Sequence, residues 1–183
     1  MTQTLKDKSI LLVISGGIAA YKSLELIRLI RKSGGQVRAI LTKGGEQFVT
    51  PLSVSALCEE EVHTDLWSLK DEAEMGHIRL SREADLVVVA PASANMMAKM
   101  AHGLTIDLAS TTLLASDKDV LVAPAMNCKM WEHAATVANV AVLRERGALF
   151  VGPDEGDMAC GEYGFGRMSE PAVIYQSIVE YFG

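Results

Sequence analysis

Cysteine is scarce in this chain of 183 residues, and its scarcity limits what the protein can be. The three cysteines, Cys58, Cys128 and Cys160, are odd in number, lie far apart and form no Cys-x-x-Cys pair. Disulfide frameworks and cysteine-based zinc sites need paired or closely spaced cysteines. The sequence therefore disfavours both, indicates no metal site, and predicts a protein of a reducing compartment, which we expect to be the cytoplasm.

Runs of basic residues and long apolar segments are also missing. Lys and Arg number 17 against 23 Asp and Glu, and the net charge of −6 disfavours binding to nucleic acid or to an anionic membrane. No apolar run approaches the roughly 18 residues that a membrane span needs. The polar residues 1–8 do not have the pattern of a signal peptide. We therefore expect neither nucleic acid nor a membrane as a partner.

The nucleotide-binding fingerprints G-x-G-x-x-G and Walker A are absent as well. A glycine turn, Gly16-Gly17, nevertheless follows the apolar segment 9–15 and precedes a predicted helix. A strand, a glycine turn and a helix N-terminus together can form an anion site, but the same pattern also occurs in a plain tight turn. Both interpretations stay open at this point. The apolar positions that predict the helix are Ile18, Tyr21, Leu24, Ile27 and Ile30.

What is present is an alternation of short apolar segments with helical patterns. Five segments are short and rich in β-branched residues, as expected of buried parallel strands: 9–15, 36–42, 85–90, 120–124 and 148–151. This order predicts a single α/β domain over residues 1–183, a doubly wound parallel sheet of the flavodoxin-like, three-layer Rossmann-like type. Residues 59–76 are interpreted as an exposed acidic connection. Residues 152–168, with five glycines and no apolar periodicity, are interpreted as a functional loop.

Two of the predicted strands end in the same way, at Ala90-Pro91-Ala92 and at Ala123-Pro124-Ala125. Proline cannot donate to a sheet ladder, so each strand is expected to stop there. Polar side chains follow both exits, and the carboxyl ends of parallel strands are where ligands bind. The two exits are therefore predicted to form two walls of one pocket. Asn127 is either a substrate ligand in this pocket or a turn residue beside a proline.

Five motifs, in this order, resemble one known family, the phosphopantothenoylcysteine decarboxylases, which are flavin-dependent enzymes of coenzyme A biosynthesis. The resemblance covers about residues 9–182, and its most specific motifs are Pro-Ala-Met-Asn-x-x-Met-Trp and Ala-Cys-Gly-Glu. The motifs are the segments 15–22, 77–78, 91–95, 124–131 and 159–168.

The resemblance implies roles for individual residues. His77 would be the active-site base, Asn127 the ligand of the substrate carboxylate and Cys160 the proton donor, while Met130 and Ala159 would contact substrate. Without the resemblance, the simpler interpretation of His77 is a surface residue at the start of a helix. Cys58 and Cys128 are interpreted as packing residues, with Cys128 pointing away from Asn127. The implied FMN-binding residues are Gly16, Gly17, Ile18, Thr42, Lys43, Gly44, Ser93, Ala94, Asn95, Met96 and Ala125.

The activity that the resemblance implies is decarboxylation of 4′-phosphopantothenoylcysteine to 4′-phosphopantetheine. A flavin would oxidise the thiol, carbon dioxide would leave, and the resulting enethiol would be reduced again. The alternatives are a lantibiotic-type peptidyl-cysteine decarboxylase or a flavin prenyltransferase on the same fold, and a non-catalytic regulator. The family also implies a homotrimer, often assembled into a dodecamer, and in some members a fused phosphopantothenate–cysteine ligase.

Overall fold

Six parallel strands form the central sheet of the protein, in the order β3-β2-β1-β4-β5-β6. This computed structural model describes residues 4–66, 76–159 and 161–183, with only the backbone at Gly76 and His77. The strands are β1 (Ser9–Ile14), β2 (Gln36–Leu41), β3 (Val62–His63), β4 (Leu86–Ala92), β5 (Val120–Pro124) and β6 (Leu149–Phe150). The predicted flavodoxin-like, doubly wound fold is confirmed. Because the chain winds outward in both directions from β1 and β4, the crevice between their carboxyl ends is a topological switch point.

Helices cover both faces of the sheet and make three layers. They are α1 (Ala20–Lys32), α2 (Pro51–Cys58), α3 (Gly76–Arg82), α4 (Ala94–His102), α5 (Leu108–Ala115), α6 (Cys128–Glu132), α7 (Ala134–Glu145) and α8 (Pro171–Phe182). Alternate residues of β1 enter separate cores, since successive side chains of a strand point to opposite faces. Ile10 and Leu12 pack with α1, α2 and α8, and Leu11 and Val13 pack with α3, α4, α5 and α7.

Local sequence signals explain where several helices begin. Pro51 occupies the first turn of α2 and Thr50 caps it, with its side chain accepting from the backbone N–H of Ser53. The sequence predicts helical pieces over residues 46–58 with a break at Pro51, and this prediction is confirmed. The long helix that the sequence predicts after Trp131, ending near Arg146, corresponds to α7, and the short helix α6 lies just before it. His133 between them is extended and its Nδ1 caps α7 by accepting from the N–H of Ala135 at 3.1 Å.

The interpretation of residues 59–76 as an irregular connection is wrong at Val62 and His63. These residues form β3, which pairs in parallel with Ala39 and Ile40 of β2. A two-residue strand has no periodicity to detect, because its position is fixed by the neighbouring backbone. Residues 67–75 lie outside the described part of the chain.

The glycine-rich segment 152–168 is also more regular than expected. It contains an antiparallel hairpin of β7 (Asp154–Asp157) and β8 (Tyr163–Arg167), referred to below as the hairpin. Its glycines remove the apolar alternation that normally marks a strand. The prediction of a loop over residues 152–168 is therefore wrong for the hairpin strands. Whether the hairpin has a functional role depends on the residues that it contacts.

Pro91 does not end its strand as predicted. β4 continues through Pro91 to Ala92, which lies in register with Pro124 after an irregularity in the ladder. Pro91 lacks an N–H, but its carbonyl oxygen accepts from the N–H of Ser15 at 3.3 Å. Pro124 does end β5, as expected.

Within the described residues, no helix combines the length and apolar character that crossing a bilayer requires.

Candidate active site at the carboxyl edge of the sheet

A buried serine joins the two strands that flank the switch point. The Ser15 hydroxyl donates to the carbonyl oxygen of Pro91 at 2.7 Å and accepts from the backbone N–H of Ser93 at 2.9 Å. Ser15 is almost fully buried, so these bonds replace those that water would otherwise make. The exits of β1 and β4 are thereby held together. The single pocket predicted between the exits of β4 and β5 is instead two clefts, since Ser93 and Asn95 line one and Ala125 and Asn127 line the other.

The first cleft at this edge, called the helix-end cleft, has a volume of about 420 Å³. The N-termini of α4 and α5 open onto it, at Ser93–Met96 and at Asp107–Ala109. Helix N-termini present unpaired N–H groups and a positive dipole end, so this cleft suits an anion. Seven of the residues implied for FMN line it: Gly16, Thr42, Lys43, Gly44, Ser93, Asn95 and Met96.

Lys99 and Asp107 form an ion pair in the wall of the helix-end cleft, with Nζ and Oδ2 2.6 Å apart. Lys99 is buried, and Asp107 also accepts from the N–H and the hydroxyl of Ser110. Burial acts to raise the pKa of Asp107, but the hydrogen bonds from Lys99 and Ser110 outweigh it and hold that pKa below its usual value. The pair therefore stays charged and joins α4 to the capped end of α5.

The glycines of the first two strand exits pack directly on each other. A Cβ at Gly16 would lie 3.0 Å from the Cα of Gly44, so a side chain there would push the two turns apart. The Thr42 hydroxyl is also hydrogen-bonded within the protein. It donates to the carbonyl oxygen of Ile14 at 3.3 Å and accepts from the N–H of Gly45 at 3.1 Å. These residues therefore shape the cleft wall, and Gly16 is required for backbone packing whether or not a ligand is bound.

A second cleft, called the hairpin cleft, lies between the start of α1, residues 125–127 and the hairpin, and has a volume of about 650 Å³. Gly17, Ile18, Ala125, Asn127 and Ala159 line it. The helix predicted from its apolar positions is α1, but two of those positions do not enter the core. Ile18 is 60% exposed and Tyr21 is 57% exposed, because the start of α1 borders this cleft, while Ile27 and Ile30 are buried.

The hairpin is attached to residues 126–128 by its backbone. The N–H of Met126 donates to the carbonyl oxygen of Gly166 at 2.9 Å. Gly166 has φ +141, and a Cβ there would overlap the carbonyl oxygen of Met126. Only glycine fits at this position, both for its backbone conformation and for the close approach.

Replacing Gly166 by alanine should therefore detach the hairpin from the cleft. We expect KM for a ligand of the hairpin cleft to rise about tenfold, while Tm changes little because the hairpin lies outside the two cores. Gly156→Ala on β7 is the matched control, since its Cβ would meet only the flexible end of Arg167. Steady-state kinetics and thermal unfolding test both variants, and equal effects of the two would contradict this role of Gly166.

Asn127 has a fixed orientation. Its Oδ1 accepts from the backbone N–H of Lys129 at 2.8 Å and so caps α6, which directs Nδ2 toward the Glu162 carboxylate, to which it donates. Because Oδ1 is occupied by the helix cap, the side chain can present the N–H donors of Nδ2 to a ligand. A carboxylate ligand needs such donors. The two interpretations of Asn127, cap residue and carboxylate ligand, are therefore compatible in one side chain.

Cys128 does not point away from Asn127 as expected. Its Sγ lies 3.4 Å from Oε2 of Glu162, the oxygen that Asn127 also contacts. Removal from water and the adjacent Glu162 carboxylate hold the pKa of the Cys128 thiol above its ordinary value. Cys58, by contrast, is buried in α2, and burial raises its pKa to about 12, which agrees with a packing role.

The remaining predicted site residues are distributed as follows. His77 lies in the first turn of α3, where only its backbone is described, and Cys160 lies outside the described residues. Met130 is 49% exposed on α6 and does not line the hairpin cleft. Ala94 begins α4 next to the helix-end cleft. Met96 borders that cleft, but its side chain is buried in the core.

Sequence reasoning gave no role to several side chains that the structure places at the two clefts. Lys22 is buried beside the hairpin cleft, and its Nζ donates to the carbonyl oxygen of Met168 and to Glu170, both at 2.9 Å. Lys22 and Glu162 stand inside two of the five motifs, but nothing in those motifs indicates which groups they contact. The Asp107-x-x-Ser110 spacing of a capping box could have identified Asp107.

A switch-point crevice with an anion-binding cleft beside a larger, partly apolar one defines the class of doubly wound α/β nucleotide- and cofactor-binding domains. Within that class, the Flavoprotein family model matches residues 1–183, and the chain belongs to that family.

Curated relatives are similar over almost the whole of this chain. It is 46% identical over 180 residues to the coenzyme A biosynthesis bifunctional protein CoaBC of Vibrio parahaemolyticus, covering 98% of this chain and 45% of the relative. It is 46% identical over 179 residues to the protein of the same name from Escherichia coli, covering 98% and 44%. The chain thus spans less than half the length of the curated relatives that it matches.

Solved structures share the fold throughout. A PPC decarboxylase variant complexed with pantothenoylaminoethenethiol superposes with a TM-score of 0.86 at 34% identity, covering 97% of this chain and 99% of the other. The FMN-binding protein AtHal3 gives a TM-score of 0.83 at 34% identity and 97% coverage of both chains. The FMN-dependent cysteine decarboxylase SpaF gives 0.82 at 27% identity, covering 97% and 98%.

Proposed function

We propose that this domain is an FMN-dependent lyase that decarboxylates 4′-phosphopantothenoylcysteine to 4′-phosphopantetheine and carbon dioxide in coenzyme A biosynthesis. The observation that carries the proposal is Asn127, which lines the hairpin cleft and whose amide is oriented by the α6 cap and donates to the carboxylate of Glu162. The names of the curated relatives and of the PPC decarboxylase structure support the substrate class.

The residues of the two clefts fit FMN. Backbone N–H groups at the N-termini of α4 and α5 suit its phosphate, and Gly16, Thr42 and Ser93 would border that group in the helix-end cleft. Gly17, Ile18 and Ala125 present a small and apolar surface that suits the flavin ring in the hairpin cleft. Family membership and the FMN-binding neighbours support this choice of cofactor.

The chemistry requires an electron sink, because loss of carbon dioxide from a cysteinyl carboxylate leaves an electron pair on carbon. The bound flavin would supply this sink by reversible two-electron oxidation of the substrate thiol. The residues of the chain would do the remaining work. Asn127 would hold the carboxylate until it leaves, His77 would accept the thiol proton, and Cys160 would supply the proton that the new carbon centre needs.

The assembly and setting are also proposals. Large apolar side chains are exposed around the site, including Ile18, Tyr21 and, at 71% exposure, Ile106, which is consistent with burial in a homotrimer or dodecamer. The bifunctional names of the curated relatives support the expected phosphopantothenate–cysteine ligase as a functional partner. A biosynthetic role of this kind fits the cytoplasm.

One assay tests the function. Protein reconstituted with FMN should show flavin absorbance and convert 4′-phosphopantothenoylcysteine to 4′-phosphopantetheine, followed by product mass and released carbon dioxide. Cys160→Ser should still release carbon dioxide but accumulate the enethiol. Release of an enethiol by the unmodified protein would favour a peptidyl-cysteine decarboxylase instead, and failure to bind FMN would refute the proposal.

A further inference from the structure

Glu162, which directly precedes β8, places a carboxylate at Asn127, where the proposed substrate carboxylate would bind. It accepts from Nδ2 of Asn127, and its Oε2 lies 3.4 Å from Sγ of Cys128. The Glu162 carboxylate therefore already occupies the Asn127 amide that is proposed to bind the substrate carboxylate. The backbone attachment of the hairpin at Gly166 keeps Glu162 within reach of Asn127.

Two carboxylates in contact with one amide group repel each other. Glu162 itself is exposed, but Asn127 is only partly exposed and Cys128 is buried, so water screens the repulsion at Asn127 only in part. A like charge nearby disfavours the ionised form of either carboxylate. The contacts of Glu162 and of a substrate carboxylate with Asn127 therefore compete.

We propose that Glu162 is a specificity-determining residue that competes with the substrate carboxylate for Asn127. This inference rests on the proposed function, because it takes the ligand carboxylate to be that of the cysteinyl substrate. A ligand that carries this carboxylate displaces Glu162, whereas one that lacks it leaves the Glu162–Asn127 contact intact. After carbon dioxide has left, Glu162 returns to Asn127, which disfavours binding of another ligand that carries the carboxylate.

The first test compares two ligands that differ in the carboxylate. S-methylated 4′-phosphopantothenoylcysteine keeps the carboxylate but has no thiol to oxidise, and 4′-phosphopantetheine lacks the carboxylate. In Glu162→Gln, a weaker neutral hydrogen bond replaces the charged one, so the S-methylated ligand should bind about five- to tenfold more tightly. Binding of 4′-phosphopantetheine should change by less than about twofold.

Two further variants separate contact from charge. Glu162→Asp keeps the charge but shortens the side chain, so it should also bind the S-methylated ligand more tightly. Glu155→Gln removes a charge from an exposed position on β7 of the same hairpin and should change neither affinity. Calorimetry on the FMN-loaded protein measures all four proteins. Equal tightening of both ligands, wild-type affinity in Glu162→Asp, or weaker binding in Glu162→Gln would each overturn the competition.

Alkylation of Cys128 provides a test that needs no substrate. Glu162→Gln removes the carboxylate beside the thiol, so iodoacetamide should label Cys128 several-fold faster at constant pH, as followed by peptide mass spectrometry. Buried Cys58 is the internal reference, and its labelling would reveal unfolding. Unchanged labelling of Cys128 would overturn the Glu162 contact itself. Failure of the wild-type protein to bind either ligand would instead refute the proposed function.

Discussion

Asn127→Asp should lower kcat/KM for decarboxylation by about a thousandfold. The aspartate keeps an oxygen that can cap α6 through the N–H of Lys129, but it has no donor for a carboxylate. Losing a charge-assisted hydrogen bond costs about 1.5–3 kcal/mol, and the new charge repels both Glu162 and the substrate. A combined effect of about 4 kcal/mol on the transition state corresponds to about three powers of ten in rate.

Steady-state kinetics on FMN-loaded protein measures this loss, and the flavin spectrum shows whether the fold and cofactor site are retained. Asn127→Ser is the matched control, because it keeps a capping oxygen without adding a charge, so its loss of activity should be smaller. Activity of Asn127→Asp within a factor of ten of the wild-type value would remove Asn127 from its proposed role.

Asp107→Asn should destabilise the protein without touching the hairpin cleft. The substitution leaves the buried Lys99 cation without its carboxylate partner and turns an amide toward it. Breaking a buried ion pair costs about 3–5 kcal/mol, but the Asp107 side chain is 33% exposed, which reduces the effect to about 2 kcal/mol. For a domain of this size, we expect Tm to fall by about 4–8 °C.

The pH dependence of this variant has a definite sign. Because the pKa of Asp107 in the folded protein lies below the ordinary value of 3.8, the pair stabilises the fold fully above that pH. Its contribution is lost as the pH falls through the folded-state pKa, so the difference between wild type and Asp107→Asn should begin to shrink below about pH 4 and should close at lower pH. Asp117→Asn, which breaks an exposed pair with Arg82, should cost less than about 0.5 kcal/mol. Equal losses in the two variants would show that burial of Lys99 has no special effect.

The central sheet was predictable because its strands carry a strong local signal. β1, β4 and β5 are continuous apolar runs bounded by glycine or proline, and such short runs are typical of strands buried on both faces. β3 and the hairpin were not predictable in the same way. β3 is too short to show a period, and β8 places glycine where a strand usually places an apolar side chain, because its backbone packs on residues 126–128.

The site was predictable in its residues but not in its pairings. Asn127 could be selected because it follows a strand exit, and the structure adds that one oxygen caps α6 while the amide turns outward. The contact with Glu162 joins positions 35 residues apart, and the Lys99–Asp107 pair joins two helices. Neither pairing leaves a trace in local sequence. The error at Cys128 has the same origin, since its direction depends on where the hairpin docks.

Because the interior is divided into two cores, substitutions in one core affect the two clefts to different extents. The walls of the helix-end cleft rest on α4 and α5, which belong to the core on one face of the sheet, whereas α1 beside the hairpin cleft belongs to the core on the other. Core substitutions on one face of the sheet can therefore accumulate with little effect on the shape of the cleft that rests on the other face. The phosphate side of the proposed cofactor site and the hairpin cleft can therefore change separately.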